Sequence, residues 1–133
     1  MKFYIATGLE NANNHNLVRD ALVELGHEIT YDWTTHGAMW MHGPVVMEET
    51  AKKELQGVYD ADFVVVILPG GRGTHVELGA AIMCNKRLFI FAQDDAAFEP
   101  APGVCVFHFC PGIERITGDL SVLAPYLHGE LTN

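Results

Sequence analysis

Along this chain the apolar positions switch repeatedly between a strand-like and a helix-like spacing. Lys2 to Ala6 reads as a short strand running into a polar loop, Thr7-Gly8-Leu9-Glu10-Asn11. Leu17, Val18, Ala21, Leu22 and Leu25 then share one helical face, and Gly26 follows as the expected stop. Glu28 to Asp32 is predicted as a second strand. Trp33 to Pro44 follows as a loop rich in glycine and aromatics, and Ala51, Leu55 and Val58 mark a second helix. Phe63 to Leu68 is an unbroken run with a β-branched core, the pattern of a central parallel strand covered on both faces. A glycine-rich turn leads into a third helix, Thr74 to Asn85, and then a strand, Leu88 to Ala92. Val104 to Phe109 is predicted as the last strand and Ile113 to Leu127 as the last helix.

Strands and helices alternating with short connections imply an α/β fold, with a five-stranded parallel sheet and helices on both faces. The expected strand order is the flavodoxin-like (Rossmann-like) 2-1-3-4-5. With no linker or internal repeat in sight, residues 1–133 are expected to form one domain. In such sheets ligands bind beyond the carboxyl ends of the strands, where the strand order reverses. Here that is between the Thr7–Asn14 loop and the Pro69–Gly73 loop.

Composition narrows the partners. Eight basic against 17 acidic residues give a formal net charge of -9, which argues against a nucleic-acid backbone as partner. The longest apolar run, Phe63 to Leu68, is far short of the roughly 20 residues of a membrane span. The first residues enter a strand at once, without a signal-peptide core. The 3 cysteines form no C-x-x-C pair, so a reducing, cytoplasmic setting is expected. The seven histidines show neither H-x-x-x-H nor H-E-x-x-H spacing, and no metal is expected. The first turn, T-G-L-E-N-A-N, lacks G-x-G-x-x-G, so Asp32 at the end of strand 2 does not mark an NAD site, and no cofactor is expected. A small-molecule ligand remains.

The most informative segment is L-P-G-G-R-G-T-H-V-E-L-G-A-A. Gly70, Gly71 and Gly73 allow a sharp turn and close approach to a ligand, and the helix start behind them suits an anion or sugar hydroxyl. Glu77 lies one turn into that helix, where the dipole favours a carboxylate. Thr74-x-x-Glu77 is equally a capping box, with Thr74 as cap and Glu77 reaching back to it.

From strand 3 through G-T-H-V-E-L-G-A-A, the chain resembles the nucleoside 2-deoxyribosyltransferases and their relatives, the 2′-deoxynucleoside 5′-phosphate N-hydrolases. The resemblance implies that Glu77, in the E-L-G-x-A segment, is a nucleophile. It also implies that Tyr4, in F-Y-I-A, belongs to the active site. Glu54, in E-L-Q-G, stands where the family usually has an aspartate in D-x-x-G, and Arg72 where many members have a base-recognising aspartate. P-G-G-R-G-T-H-V-E is also similar to the P-G-G-x-G-T-x-x-E signature of the Lonely Guy phosphoribohydrolases. Both likenesses imply cleavage of an N-glycosidic bond in a nucleoside or nucleotide, and the first implies at least a homodimer. A non-catalytic nucleotide-binding sensor is the alternative from another class.

The catalytic candidates are therefore Glu77, Tyr4 and Glu54. By residue chemistry, Tyr4 is as well read as a strand aromatic, and Glu54 as a solvated helix charge. The binding candidates are Thr7 and Gly8 in the first loop and Gly71, Arg72, Gly73 and Thr74 in the second. Trp33 and His36 are a possible base-stacking wall or a loop packed over the second helix. Arg72 is either a phosphate ligand or a solvated turn charge, and without the serine-rich loop of the phosphate-dependent N-hydrolases a free nucleoside is the expected substrate, with a 5′-monophosphate as the alternative. Cys84 reads as a small buried residue, and Asp94 and Asp95 as a polar turn.

Overall fold

The computed structural model describes residues 1–133. Five parallel strands, β1 (Lys2–Thr7), β2 (Glu28–Ile29), β3 (Phe63–Ile67), β4 (Arg87–Ala92) and β5 (Ile113–Thr117), lie in the order β2-β1-β3-β4-β5. This is the expected flavodoxin-like α/β fold. The long helices are α1 (Ala12–Glu24), α2 (Gly43–Asp60), α3 (Arg72–Met83) and α4 (Leu123–Thr132). None is long and apolar enough to cross a membrane.

The pleat sends successive side chains to opposite faces and so builds two cores. Phe3, Ile5, Val65 and Phe89 pack with Val18 and Leu22 of α1 and Leu123 and Leu127 of α4. Tyr4, Ala6, Val64 and Ile90 pack with Val58 of α2 and Leu78 and Ala81 of α3. Every residue of β3 is buried, as a strand covered on both faces requires.

The helix ends explain two sequence signals. At the end of α1, the Gly26 N–H donates to Val23 and the His27 N–H to Leu22, a double closure made possible by the left-handed φ of +94° at Gly26. Asn85, with φ +54°, does the same for α3.

Four expectations need correction. Val104 to Phe109 is not a strand. Val106–Phe109 forms a 3-10 turn whose Val106 and Phe107 are largely exposed, so these apolar residues have no sheet to fill. The fifth strand is instead Ile113–Thr117, bounded by Gly112 (φ +86°) and Gly118 (φ +131°). Its Ile113-Glu114-Arg115-Ile116 spacing imitates a helix, and an edge position tolerates its charges because one side faces solvent. The last helix accordingly starts later, at Leu123. Strand β2 stops at Ile29 because Thr30 turns its hydroxyl to the Gly57 carbonyl (2.6 Å) and Asp32 caps the following turn through the Thr34 N–H (3.0 Å). Cys84 is exposed at the end of α3 rather than buried.

Two glycines give a test of opposite signs. Gly26→Ala forces a β-carbon into a left-handed position and should cost roughly 1–2 kcal/mol. Gly129→Ala lies within α4 with open space around the new methyl and should gain about 0.5–1 kcal/mol. Urea unfolding of both variants checks the pair.

Candidate active site

Beyond the carboxyl ends of β1 and β3, beside α2 and the start of α3, lies a cleft of about 480 Å³. Ten of the eleven candidate residues line it: Thr7, Gly8, Trp33, His36, Glu54, Gly71, Arg72, Gly73, Thr74 and Glu77. The eleventh, Tyr4, lies beneath, fully buried. Its hydroxyl donates a 2.6 Å hydrogen bond to Glu77 Oε2. Tyr4 and Glu77 are 73 positions apart, and the fold makes them a pair.

That bond takes Glu77 away from the capping role. The third helix begins at Arg72, so Thr74 is its third residue rather than its cap. The Thr74 hydroxyl reaches back to accept from the Gly71 N–H at 3.0 Å, which is the role the capping box gave to Glu77. Glu77 is thereby free of the helix end and turns inward. Only Oε2 carries a hydrogen bond; Oε1 has none.

Glu54 is inward as well. The second helix buries Thr50, Gly57 and Val58, while Ala51 and Leu55 are exposed. The buried stripe is thus Thr50-Glu54-Gly57-Val58, with Glu54 half-buried, and not the predicted Ala51-Leu55-Val58. Gly57 explains the close packing: a β-carbon there would stand 2.8 Å from Tyr31 Cβ and 3.0 Å from the Tyr4 ring. The absence of a side chain at Gly57 seats Tyr4 under Glu77.

Burial sets the electrostatics. It pushes the Glu77 carboxyl up to about 8, with the Tyr4 hydrogen bond pulling downward and the Glu54 charge adding to the rise. The helix dipole expected to keep Glu77 ionised is outweighed by desolvation. Burial also raises Glu54, partly offset by His36, and raises Tyr4, with Glu77 adding to it. Tyr4 therefore stays a neutral donor.

The glycine turn works differently from the expectation. None of Gly70, Gly71 and Gly73 has a positive φ. Gly70 is required by contact, since a β-carbon there would lie 2.5 Å from Thr74 Cγ2, whereas Gly71 and Gly73 border open space. The first three N–H groups of α3 have no partner within the helix, as at any helix start, and belong to residues lining the cleft. Arg72 is exposed among them and takes part in no ion pair.

Two candidates are tied up in the scaffold. The Thr7 hydroxyl donates to the Ile67 carbonyl (2.6 Å) and accepts from Asn11 (2.9 Å), joining the ends of β1 and β3. Trp33 is 5% exposed and its indole N–H donates to the Ile5 carbonyl, so it is core rather than an open stacking face. His36 and Met39 line the cleft beside it. Asp32 is held by Arg19 at 2.6 Å, and Asp94 caps a 3-10 turn, in keeping with a structural reading of each.

A second, larger cavity of about 1000 Å³ lies on the other side of the turn, lined among others by Asn11, Asn14, His75, Cys105 and His108. It contains neither Glu54 nor Glu77, and the smaller cleft is the better placed for acid–base chemistry.

No protein-family model and no curated protein matches the chain. Among solved structures, the Clostridium botulinum CMP N-glycosidase BcmB is similar with a TM-score of 0.66. The match covers 96% of this chain and 98% of that one at 14% identity, so the likeness is one of fold.

The Glu77 carboxyl carbon, followed by NMR, should titrate at about 8 rather than near 4.5. Tyr4→Phe removes a bond that favours the carboxylate and should move this value further up. Between those two pH values the folded chain holds a proton that the unfolded chain has lost, so stability falls as pH rises across that window. Glu77→Gln should flatten that fall, as measured by thermal unfolding at pH 5 and pH 9.

Proposed function

We propose that this protein cleaves the N-glycosidic bond of a nucleoside or nucleotide by nucleophilic attack of Glu77. The observation that carries the reading is the buried Tyr4–Glu77 hydrogen bond at the floor of the cleft, with Glu54 in its wall. Once ionised, which burial delays to about pH 8, Glu77 is a carboxylate oriented by a neutral donor with one oxygen free, equipped to attack an electron-poor carbon. The resemblance of G-T-H-V-E-L-G-A-A to the deoxyribosyltransferases and the fold shared with a CMP N-glycosidase both support this chemistry.

In the proposed reaction, Glu77 Oε1 bonds to the anomeric carbon as the carbon–nitrogen bond breaks and its electron pair leaves with the base. Glu54, kept protonated to higher pH by burial, gives its proton to the departing base. The sugar is then held as an ester of Glu77. Glu54, now a carboxylate, takes a proton from water, whose oxygen displaces Glu77 and restores both residues. A second base in place of water would make the reaction a transfer. Tyr4 stays protonated throughout; it orients Glu77 and stabilises its charge.

For the substrate we favour a 5′-monophosphate. The open N–H groups of α3 and the unpaired Arg72 guanidinium form an anion site, and the structural relative is described as acting on CMP. His36 and Met39 would face the base. The exposed Trp40, Met41, Val45 and Tyr59 at the start and end of α2 are consistent with a homo-oligomer, which we include in the proposal.

Glu77→Gln should reduce base release from the substrate about 1000-fold or more while the fold is kept, as judged by chromatography and circular dichroism. Near-normal turnover in a folded variant would reject the nucleophile. Arg72→Ala should raise KM for a monophosphate at least about tenfold and leave the matching nucleoside unaffected. Equal effects on both would show that Arg72 does not read the phosphate.

A further inference from the structure

His75, Cys105 and His108 each present one ligand atom, all within 4.8 Å of one another, at the wall of the larger cavity. They come from two separate elements. His75 is on the first turn of α3, while Cys105 and His108 stand three residues apart on the 3-10 turn before β5. Sequence spacing conceals the group, because 33 residues separate the two histidines.

The groups are held in place. His75 Nδ1 lies 2.7 Å from the Gly71 carbonyl, which can only accept, so that nitrogen carries the proton and Nε2 keeps its lone pair. His75 Nε2 stands 3.0 Å from His108 Nε2, and the two rings are nearly parallel. The 3-10 turn is fixed by the His108 N–H to the Cys105 carbonyl (3.1 Å) and by Arg115 donating to the His108 carbonyl (3.2 Å). His108 is only 5% exposed, and its Nδ1 has no hydrogen-bond partner.

From this geometry we propose that His75, Cys105 and His108 form a zinc-binding site. One thiolate and two imidazoles are a borderline-soft donor set that suits Zn²⁺ and not Mg²⁺ or Ca²⁺. Tetrahedral zinc with ordinary bond lengths places its nitrogen ligands about 3.4 Å apart and nitrogen and sulfur about 3.6 Å apart. The present spacing of 3.0 Å between the nitrogens has to open by a few tenths of an ångström, and the Cys105 sulfur, within 4.8 Å of both, has to settle at the shorter nitrogen–sulfur distance by a side-chain rotation. Binding removes the thiol proton of Cys105 to solvent and moves the His108 proton from Nε2 to Nδ1, which nothing else occupies. The Gly71 carbonyl orients His75, the outer contact that a ligating imidazole usually has. Three protein ligands leave a fourth position for water. The ion would clamp the 105–108 turn to the first turn of α3, two residues from Glu77. This inference does not depend on the glycosidase reading.

The test uses the full chain and zinc chloride alone. Calorimetry, with a chromophoric chelator in competition, should find one tight Zn²⁺ per chain, with Kd at or below about 1 µM. Co²⁺ should give the absorption of a tetrahedral, thiolate-bound ion. His75→Ala and Cys105→Ser should each weaken Zn²⁺ at least tenfold, whereas Cys84→Ser should leave it unchanged and Mg²⁺ should not compete. Since His108 is buried and its replacement threatens folding, the wild-type chain supplies a second measurement. Zn²⁺ should protect Cys105, but not Cys84, from iodoacetamide, as read by mass spectrometry. Zinc affinity indifferent to Cys105→Ser, or equal labelling of Cys105 with and without Zn²⁺, overturns the proposal.

Discussion

The hydrogen bond from Tyr4 to Glu77 ties the third helix to the strand beside the middle of the sheet, and much of the surrounding sequence serves it. A buried carboxylate needs a partner because its desolvation is otherwise uncompensated. Tyr4 is the partner because β1 points it to the same face as α3. It is seated there because α2 has only a glycine, Gly57, where any side chain would press on its ring. Thr74 completes the arrangement from the other side. By satisfying the Gly71 N–H, it relieves Glu77 of the helix-capping work that its position suggests.

Placing Glu77 and Glu54 around one cleft in an acidic chain creates an electrostatic problem that burial resolves unequally. Burial raises both carboxyl groups, but only Glu77 receives a donor from beneath, whereas Glu54 feels His36. Glu77 is pushed up to about 8, so the attacking role requires it to lose a proton that burial favours, and the Tyr4 donor is the feature that supports its charged form. The proposed division of labour rests on position, with Glu77 over Tyr4 at the floor of the cleft and Glu54 in its wall, since both are glutamates.

Strand order was readable because alternation of short elements leaves few topologies, and the run Phe63 to Leu68 marks the central strand. The C-terminal third was not, because Val104 to Phe109 is apolar without being paired. The true edge strand, Ile113–Thr117, carries charges at positions that a buried strand would not allow. In the cleft, ten of the eleven candidate residues are lining residues, and the motif around Glu77 supplied half of those ten. What it could not reveal was orientation. Trp33 looked available for stacking, yet its indole N–H is taken by a backbone carbonyl. Glu54 looked solvated because Leu55 beside it is the more apolar residue, and Leu55 proves 44% exposed. The inward face of α2 is polar and small, a pattern hydrophobic periodicity passes over. The pairing of His75 with His108 lies further still from local sequence, since it depends on how the turn before β5 docks on α3.

The proposed monophosphate needs local positive potential against the chain's net charge of -9. The start of α3 is where the fold has it to offer. The glycine turn brings the unpartnered amides to the cleft, and with nothing near Gly71 or Gly73 the backbone itself is the wall. Arg72 adds the one full positive charge of the lining, which also carries the acidic Glu10, Glu54 and Glu77. Because it has no internal carboxylate to leave, its pairing with a phosphate breaks no ion pair already made. The acidic residues elsewhere are screened over distances beyond roughly 8 Å at physiological salt, so the immediate surroundings of α3, and not the charge of the whole chain, decide whether an anion is held there.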